Sequence, residues 1–194
     1  MRNSIRVRRQ RRRVWLWVLA GAVLVQCVTV TPSIEVTYVD EQSGAPLVGL
    51  PVTAVWQLQT ITPAGGLSSR VLKVEDLLAD SSGVVRTSTA VLLHPPLFPF
   101  SLLMRDVDRL PVLYAAAEAY EPMIAFYDGF APDAPFLPFH RADVAGTTQR
   151  LARTSSIPWD QRRKVRDGRD HLLSDIFQAR AACQRLWMCQ NAKD

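Results

Sequence analysis

The chain has 194 residues and a mass of 21.7 kDa, enough for one domain with its own hydrophobic core and too little for two large ones. At 48% hydrophobic and 21% charged residues it is neither a disordered tail nor a polytopic membrane protein. The formal charge of +5 misleads, because seven arginines lie in the first 13 residues; without them 16 basic residues face 18 acidic ones, and nucleic-acid binding loses its electrostatic basis.

Those arginines (Arg2, Arg6, Arg8, Arg9, Arg11, Arg12 and Arg13) run straight into the apolar stretch 14–25, which holds Trp15 and Trp17. A cationic block before a dozen apolar residues is the pattern of an export or anchor signal, and the arginines stay on the cytoplasmic side. Residues 1–33 are therefore expected to be a signal peptide or membrane anchor, with the rest outside the cytoplasm. Leu24, Val25, Gln26 and Cys27 are similar to a bacterial lipobox, which would make Cys27 the lipidated first residue of the mature chain. Gln26 stands where that motif normally has Gly, Ala or Ser. The rival is an uncleaved anchor, since residues 14–34 carry no charge over 21 positions, the length a bilayer needs. A soluble secreted form is the third alternative.

With Cys27 assigned to the tether, Cys183 and Cys189 remain as a pair, and a disulfide suits an exported protein. On a continuous helix they would stand roughly 9 Å apart at 1.5 Å per residue, beyond disulfide reach. A bridge requires the helix to end between them; otherwise the two remain thiols.

From Ile34 the pattern has period two. Ile34, Val36 and Tyr38 alternate with Glu35, Thr37 and Val39 up to Asp40, a half-buried strand. A turn around Gly44 and Pro46 leads to Val52, Ala54 and Trp56 alternating with Thr53, Val55 and Gln57. After a loop over 60–69, Leu72 and Val74 alternate with Lys73 and Glu75, and a turn from Asp80 to Gly83 opens a run over 84–89. Two further runs, 111–117 and 123–127, flank the break at Glu121 and Pro122. Six short strands with turns between them predict an all-β sandwich; a helix over 110–120 is the competing assignment for the alanine-rich run.

Residues 38–56 resemble the opening of the carboxypeptidase regulatory-like domain, a transthyretin-like (prealbumin-like) β-sandwich that reads V-x-D-x-x-T-G-x-P-L-x-G-V-x-V. Asp40, Gly44, Pro46, Leu47, Gly49 and Val52 match, and Ser43 replaces Thr. Asp80 to Val84 is similar to that family's D-x-x-G turn, and Ala119, Tyr120, Glu121 and Pro122 to its G-Y-E-P ending. The resemblance implies an Ig-like sandwich over 34–128. Asp40, Gly44, Pro46, Gly49, Trp56, Asp80 and Gly83 are then structural turn or core residues, with Trp56 as a core plug.

Residues 129–157 form a Pro- and Phe-containing linker, and the stretch 131–139 shares a Pro-Leu/Phe-Pro-Phe theme with 93–100. Exposed, these stretches are docking ridges; packed, they cap the sandwich. Residues 158–194 form a helical segment. Ser155 or Ser156 can cap it, Pro158 and Asp160 suit its first turn, and Gly168 is a possible interruption. Leu172, Leu173, Ile176, Phe177, Cys183, Leu186 and Trp187 make its apolar stripe.

No H-E-x-x-H, G-x-S-x-G, Walker or dinucleotide motif occurs, and His94, His140 and His171 lack metal spacing. His171, Ser174 and Asp175 resemble a triad only in composition. Transthyretin-like ureide hydrolases end in Tyr-Arg-Gly-Ser, which this chain lacks. The expected function is a non-catalytic envelope protein without cofactor or metal. It would be tethered to a membrane and bind an envelope protein or a polysaccharide. The alternative is a small periplasmic transthyretin-like hydrolase.

Overall fold

A computed structural model describes Trp17, Gly21 and residues 27–61, 67–94, 105–107, 111–125, 140–142, 145–185 and 189–191. Over these residues the strands are β1 (Val28–Thr31), β2 (Glu35–Asp40), β3 (Pro51–Ile61), β4 (Leu67–Leu78), β5 (Val84–Arg86), β6 (Ala90–Leu93), β7 (Arg105–Val107), β8 (Val112–Ala115), β9 (Met123–Ala125), β10 (His140–Ala142), β11 (Thr148–Leu151) and, after the helix α1 (Trp159–Arg185), β12 (Gln190–Asn191). A 3₁₀ turn, Thr154–Ser156, precedes α1. Among the described residues the regular structure is mostly strand, in stacked sheets, with one C-terminal helix.

The long antiparallel pair β3–β4 is the spine of the large sheet, ordered β10–β9–β8–β3–β4–β12, with β7 also on β3. Ordinary two-residue periodicity sorts its side chains. Val52, Ala54, Trp56 and Leu58 of β3 and Leu113 and Ala115 of β8 point into the main core. Opposite them lie Val36 and Tyr38 of β2, Val85 of β5 and Leu151 of β11, from the smaller sheet β11–β2–β5. The outer face of the large sheet is covered by α1. Val112 and Ile124 meet Leu172 and Ile176, and Val55 and Val74 meet Cys183. The layers are therefore small sheet, large sheet and helix.

The antiparallel ladder of β2 and β5 continues in register into the ribbon β1–β6. Thr37 faces Val84, Glu35 faces Arg86, Thr31 faces Ala90 and Val28 faces Leu93. Residues 28–31, placed by the sequence in the tether segment, thus belong to the folded body. Within the run 111–117, residues 112–115 form strand β8 and not a helix, because their two faces bury alternately against the core and α1.

α1 begins at Trp159, so Ser155 and Ser156 do not cap it: both lie in the 3₁₀ turn, where the Ser156 hydroxyl donates to the Arg153 carbonyl. Gly168 is buried and the helix passes through it. The apolar stripe is narrower than its spacing suggests. Leu172, Ile176 and Cys183 are buried, whereas Leu173 and Phe177 face solvent. The helix ends before Cys189, which bonds to Cys183 with the Cα atoms 5.0 Å apart, and Gln190–Asn191 then lie beside Lys73 and Val74. Residues 1–16, 18–20 and 22–26, the Pro/Phe stretches 95–100 and 131–139, and Leu186 and Trp187 fall outside the described residues. Among the described residues, no helix is long and apolar enough to cross a membrane.

Candidate functional site

The residues singled out by motif gather at the end of the sandwich that carries the β2–β3 turn. Asp40 closes β2 with a side chain only 1% exposed. Its Oδ1 accepts from the Gln42 amide (3.1 Å), the Ser43 amide (2.8 Å) and the Ser43 hydroxyl (2.9 Å), which folds the turn over Gly44. Its Oδ2 accepts from the Tyr120 hydroxyl at 3.2 Å and from Arg153 Nε. Five donors saturate a carboxylate that has about four lone-pair positions.

The second motif abuts the first. Asp80 Oδ1 accepts from the Ser82 amide and hydroxyl and from the Val84 amide. Gly83 takes φ +74°, and its carbonyl accepts from the Tyr38 amide. Pro46 bridges Val39, and Gly44 and Gly49 also lie at positive φ. The third segment reaches the same place through Tyr120 and through Glu121, whose amide donates to the Ala152 carbonyl. Three motifs far apart in sequence therefore form one hydrogen-bonded end.

Arg153, followed by the Ser43 amide, holds the Asp40 carboxyl well below the usual carboxylate range; Ser82 and Val84 lower Asp80 in the same sense. A carboxylate so held is not a general acid or base near neutrality. Because folding depresses these pKa values, their stabilisation is complete above the unfolded value near ~3.9 and is lost as pH falls below it. The melting temperature should drop between about pH 4 and 2, and Asp40→Asn should flatten that drop. Scanning calorimetry from pH 7 to 2 checks this, and equal slopes for the two chains would assign the acid loss elsewhere.

A second cluster lies inside the sandwich. Lys73 and Glu75 of β4 are 4% and 8% exposed and face the core. The β3–β4 register shifts between Trp56 and Gln57, so Leu72 is an extra residue, and both it and Lys73 turn inward. Lys73 Nζ donates to Glu75 Oε2 at 2.9 Å and to Ser88 Oγ at 2.6 Å, and lies 4.4 Å from the Trp56 ring centroid. Ser88 in turn donates to Glu75 Oε2 at 3.0 Å. The ammonium, the carboxylate and the hydroxyl are all directed at one another. The alternation over 72–75 marks this strand but does not signal that its charges face inward.

Trp56 is the fully buried plug its position suggests, yet its Nε1 and the Tyr38 hydroxyl lack a hydrogen-bond partner among the described residues, and burial pushes the Tyr38 pKa up. His94 follows the last residue of β6 and is buried, with its Nε2 and the Thr29 hydroxyl 3.0 Å apart. His171, Ser174 and Asp175 are exposed on α1, and the Ser174 hydroxyl accepts from Gln178, so no triad is assembled. Cys27 is half-buried beside β1, its carbonyl accepting from the His94 amide. Among the described residues no group of three His, Cys, Asp or Glu could hold a metal ion. No family model, curated protein or solved structure matches the chain.

Proposed function

We propose that the chain is a non-catalytic cell-envelope protein, a transthyretin-like, Ig-like sandwich tethered to a membrane by its N-terminal segment and presenting a binding or assembly surface to an envelope protein or a polysaccharide. The observation that carries this is the Cys183–Cys189 bond, which suits an oxidising compartment and agrees with the basic-then-apolar start of the chain. The meeting of the three motifs around Asp40 supports the family resemblance, because each acts there as a turn or a cross-link. The charge clusters support the non-catalytic part of the reading: Asp40 and the Lys73–Glu75 pair are engaged in internal bonds that hold the fold.

Intact mass of the detergent-extracted protein tests the tether. Loss of the first 26 residues with added lipid mass means a lipoprotein, and full length means an anchor. Either mass should come with an oxidised cysteine pair. Cleavage without lipid, or a cytosolic chain with reduced cysteines, overturns the reading.

One contact favours the hydrolase alternative: the 2.6 Å approach of Lys73 Nζ to Ser88 Oγ, the pairing of a serine nucleophile with a lysine base. In that chemistry the lysine takes the serine proton, whereas here the same Nζ is also bonded to the Glu75 carboxylate at 2.9 Å. A fluorophosphonate probe should therefore leave Ser88 unlabelled. Labelling abolished by Ser88→Ala would establish the hydrolase.

A further inference from the structure

The β1–β6 ribbon is turned inside out. Its inner face carries Thr29, Thr31 and His94 beside Ala90 and Leu92, whereas Val28 (40% exposed), Val30 (61%), Val91 (49%) and Leu93 (41%) stand together on the outer face. The pairs Val28–Leu93 and Val30–Val91 are direct cross-strand neighbours, so the four side chains form one continuous aliphatic patch. The inversion arises at the break between β1 and β2. Val36 and Tyr38 of β2 are buried, and strict alternation would carry Val30 and Val28 to the same inner face. Residues 32–34 and 87–89 shift both strands by one position, which exchanges their faces.

The ribbon is also the part of the body nearest the tether. β1 starts three residues after the apolar run 14–25 ends, a reach of about 10 Å at most. The headgroup layer on each side of a bilayer is roughly 5–8 Å deep. With residues 14–25 in the membrane, or with lipid on Cys27, the ribbon lies at the headgroups in either case. The His94 amide, bonded to the Cys27 carbonyl, pins β6 at that same end.

We infer that the aliphatic outer face of the β1–β6 ribbon rests on the lipid headgroup layer of the membrane that holds the N-terminal segment; this depends on the tethered reading above. A second copy of the chain is a poorer occupant. Four residues of two strands cover only about 13 Å by 10 Å, far below the ~800 Å² per partner of a stable interface. The same geometry sends β2 and β5 away from the bilayer, so the Asp40 turns stand at the far end.

The test is a benzophenone amino acid placed singly at Val30 or Val91 of the full chain, irradiated in intact envelopes, with Val48 and Phe177, 64% and 72% exposed, as controls. Protease resistance and an oxidised Cys183–Cys189 pair verify that each chain is folded. Phospholipid adducts at 30 and 91, several-fold above those at 48 and 177, are expected. Adducts to a second copy or to another protein at 30 and 91, or equal lipid yields at all four positions, would overturn the inference while a membrane-bound chain leaves the tether intact. A chain absent from the membrane fraction would overturn both.

Discussion

Glu75→Ala is expected to destabilise the protein by about 3–5 kcal/mol, a large share of a domain's ~5–15 kcal/mol. The Lys73 ammonium keeps its place between Trp56 and Ser88 but loses the carboxylate at 2.9 Å, in a site where its side chain is 6% exposed. Lys73→Met with Glu75→Leu removes both charges and fills the space with apolar atoms, so the double variant should lie near the parent or above it. Thermal and urea unfolding of the parent and the variants measure the cycle. If Glu75→Ala costs no more than an exposed pair such as Arg86–Glu35, the cluster is solvated and its assignment to the core is wrong.

Gly83→Ala is expected to cost about 3 kcal/mol or more. The left-handed conformation at φ +74° alone costs a residue with a Cβ roughly 1–2 kcal/mol. Here a Cβ would also sit 2.5 Å from the Tyr38 carbonyl oxygen, 3.1 Å from the Leu47 amide nitrogen and 3.1 Å from Pro46 Cβ. Two of those atoms are backbone, and the Leu47 amide donates to that same Tyr38 carbonyl, so relief requires separating the Asp80 turn from the β2–β3 turn. Gly44 and Gly49 provide the control. They have φ +67° and +70° with no atom within 4 Å of a built Cβ, so alanine there should cost only the conformational part. Equal losses at all three positions would mean that the contact at Gly83 is not tight.

Local chemistry was legible in the sequence because it depends on near neighbours. Alternation identified β2, β3 and β4, runs bounded by turns or breaks identified β5, β8 and β9, and Gly44 and Gly83 marked turns that do take positive φ. The C-terminal helix lies where Pro158, Asp160 and the apolar spacing put it, and the limit on disulfide reach required it to end before Cys189. The candidate motif residues were visible one by one. That Tyr120 and Arg153, 80 and 113 positions away, share the second oxygen of Asp40 was not, because no local pattern encodes a partner at that distance. Strands β1, β6, β7 and β10 to β12 were missed: each has two to four residues and is held by a partner strand elsewhere in the chain, which no local pattern shows.

What the sequence determined by itself is the elements that turns set off and the chemistry of their ends, since backbone conformation there answers to residues within a turn or a strand length. The tertiary structure alone decided which face of each element is covered. A two-residue period names two faces without saying which one meets water. On β4 both are buried, Val74 beneath α1 and the Lys73–Glu75 pair inside the sandwich. On β1 a one-residue shift between strands turned the valines outward and the threonines in. Burial belongs to the neighbours that fold against a strand, and those neighbours come from distant parts of the chain.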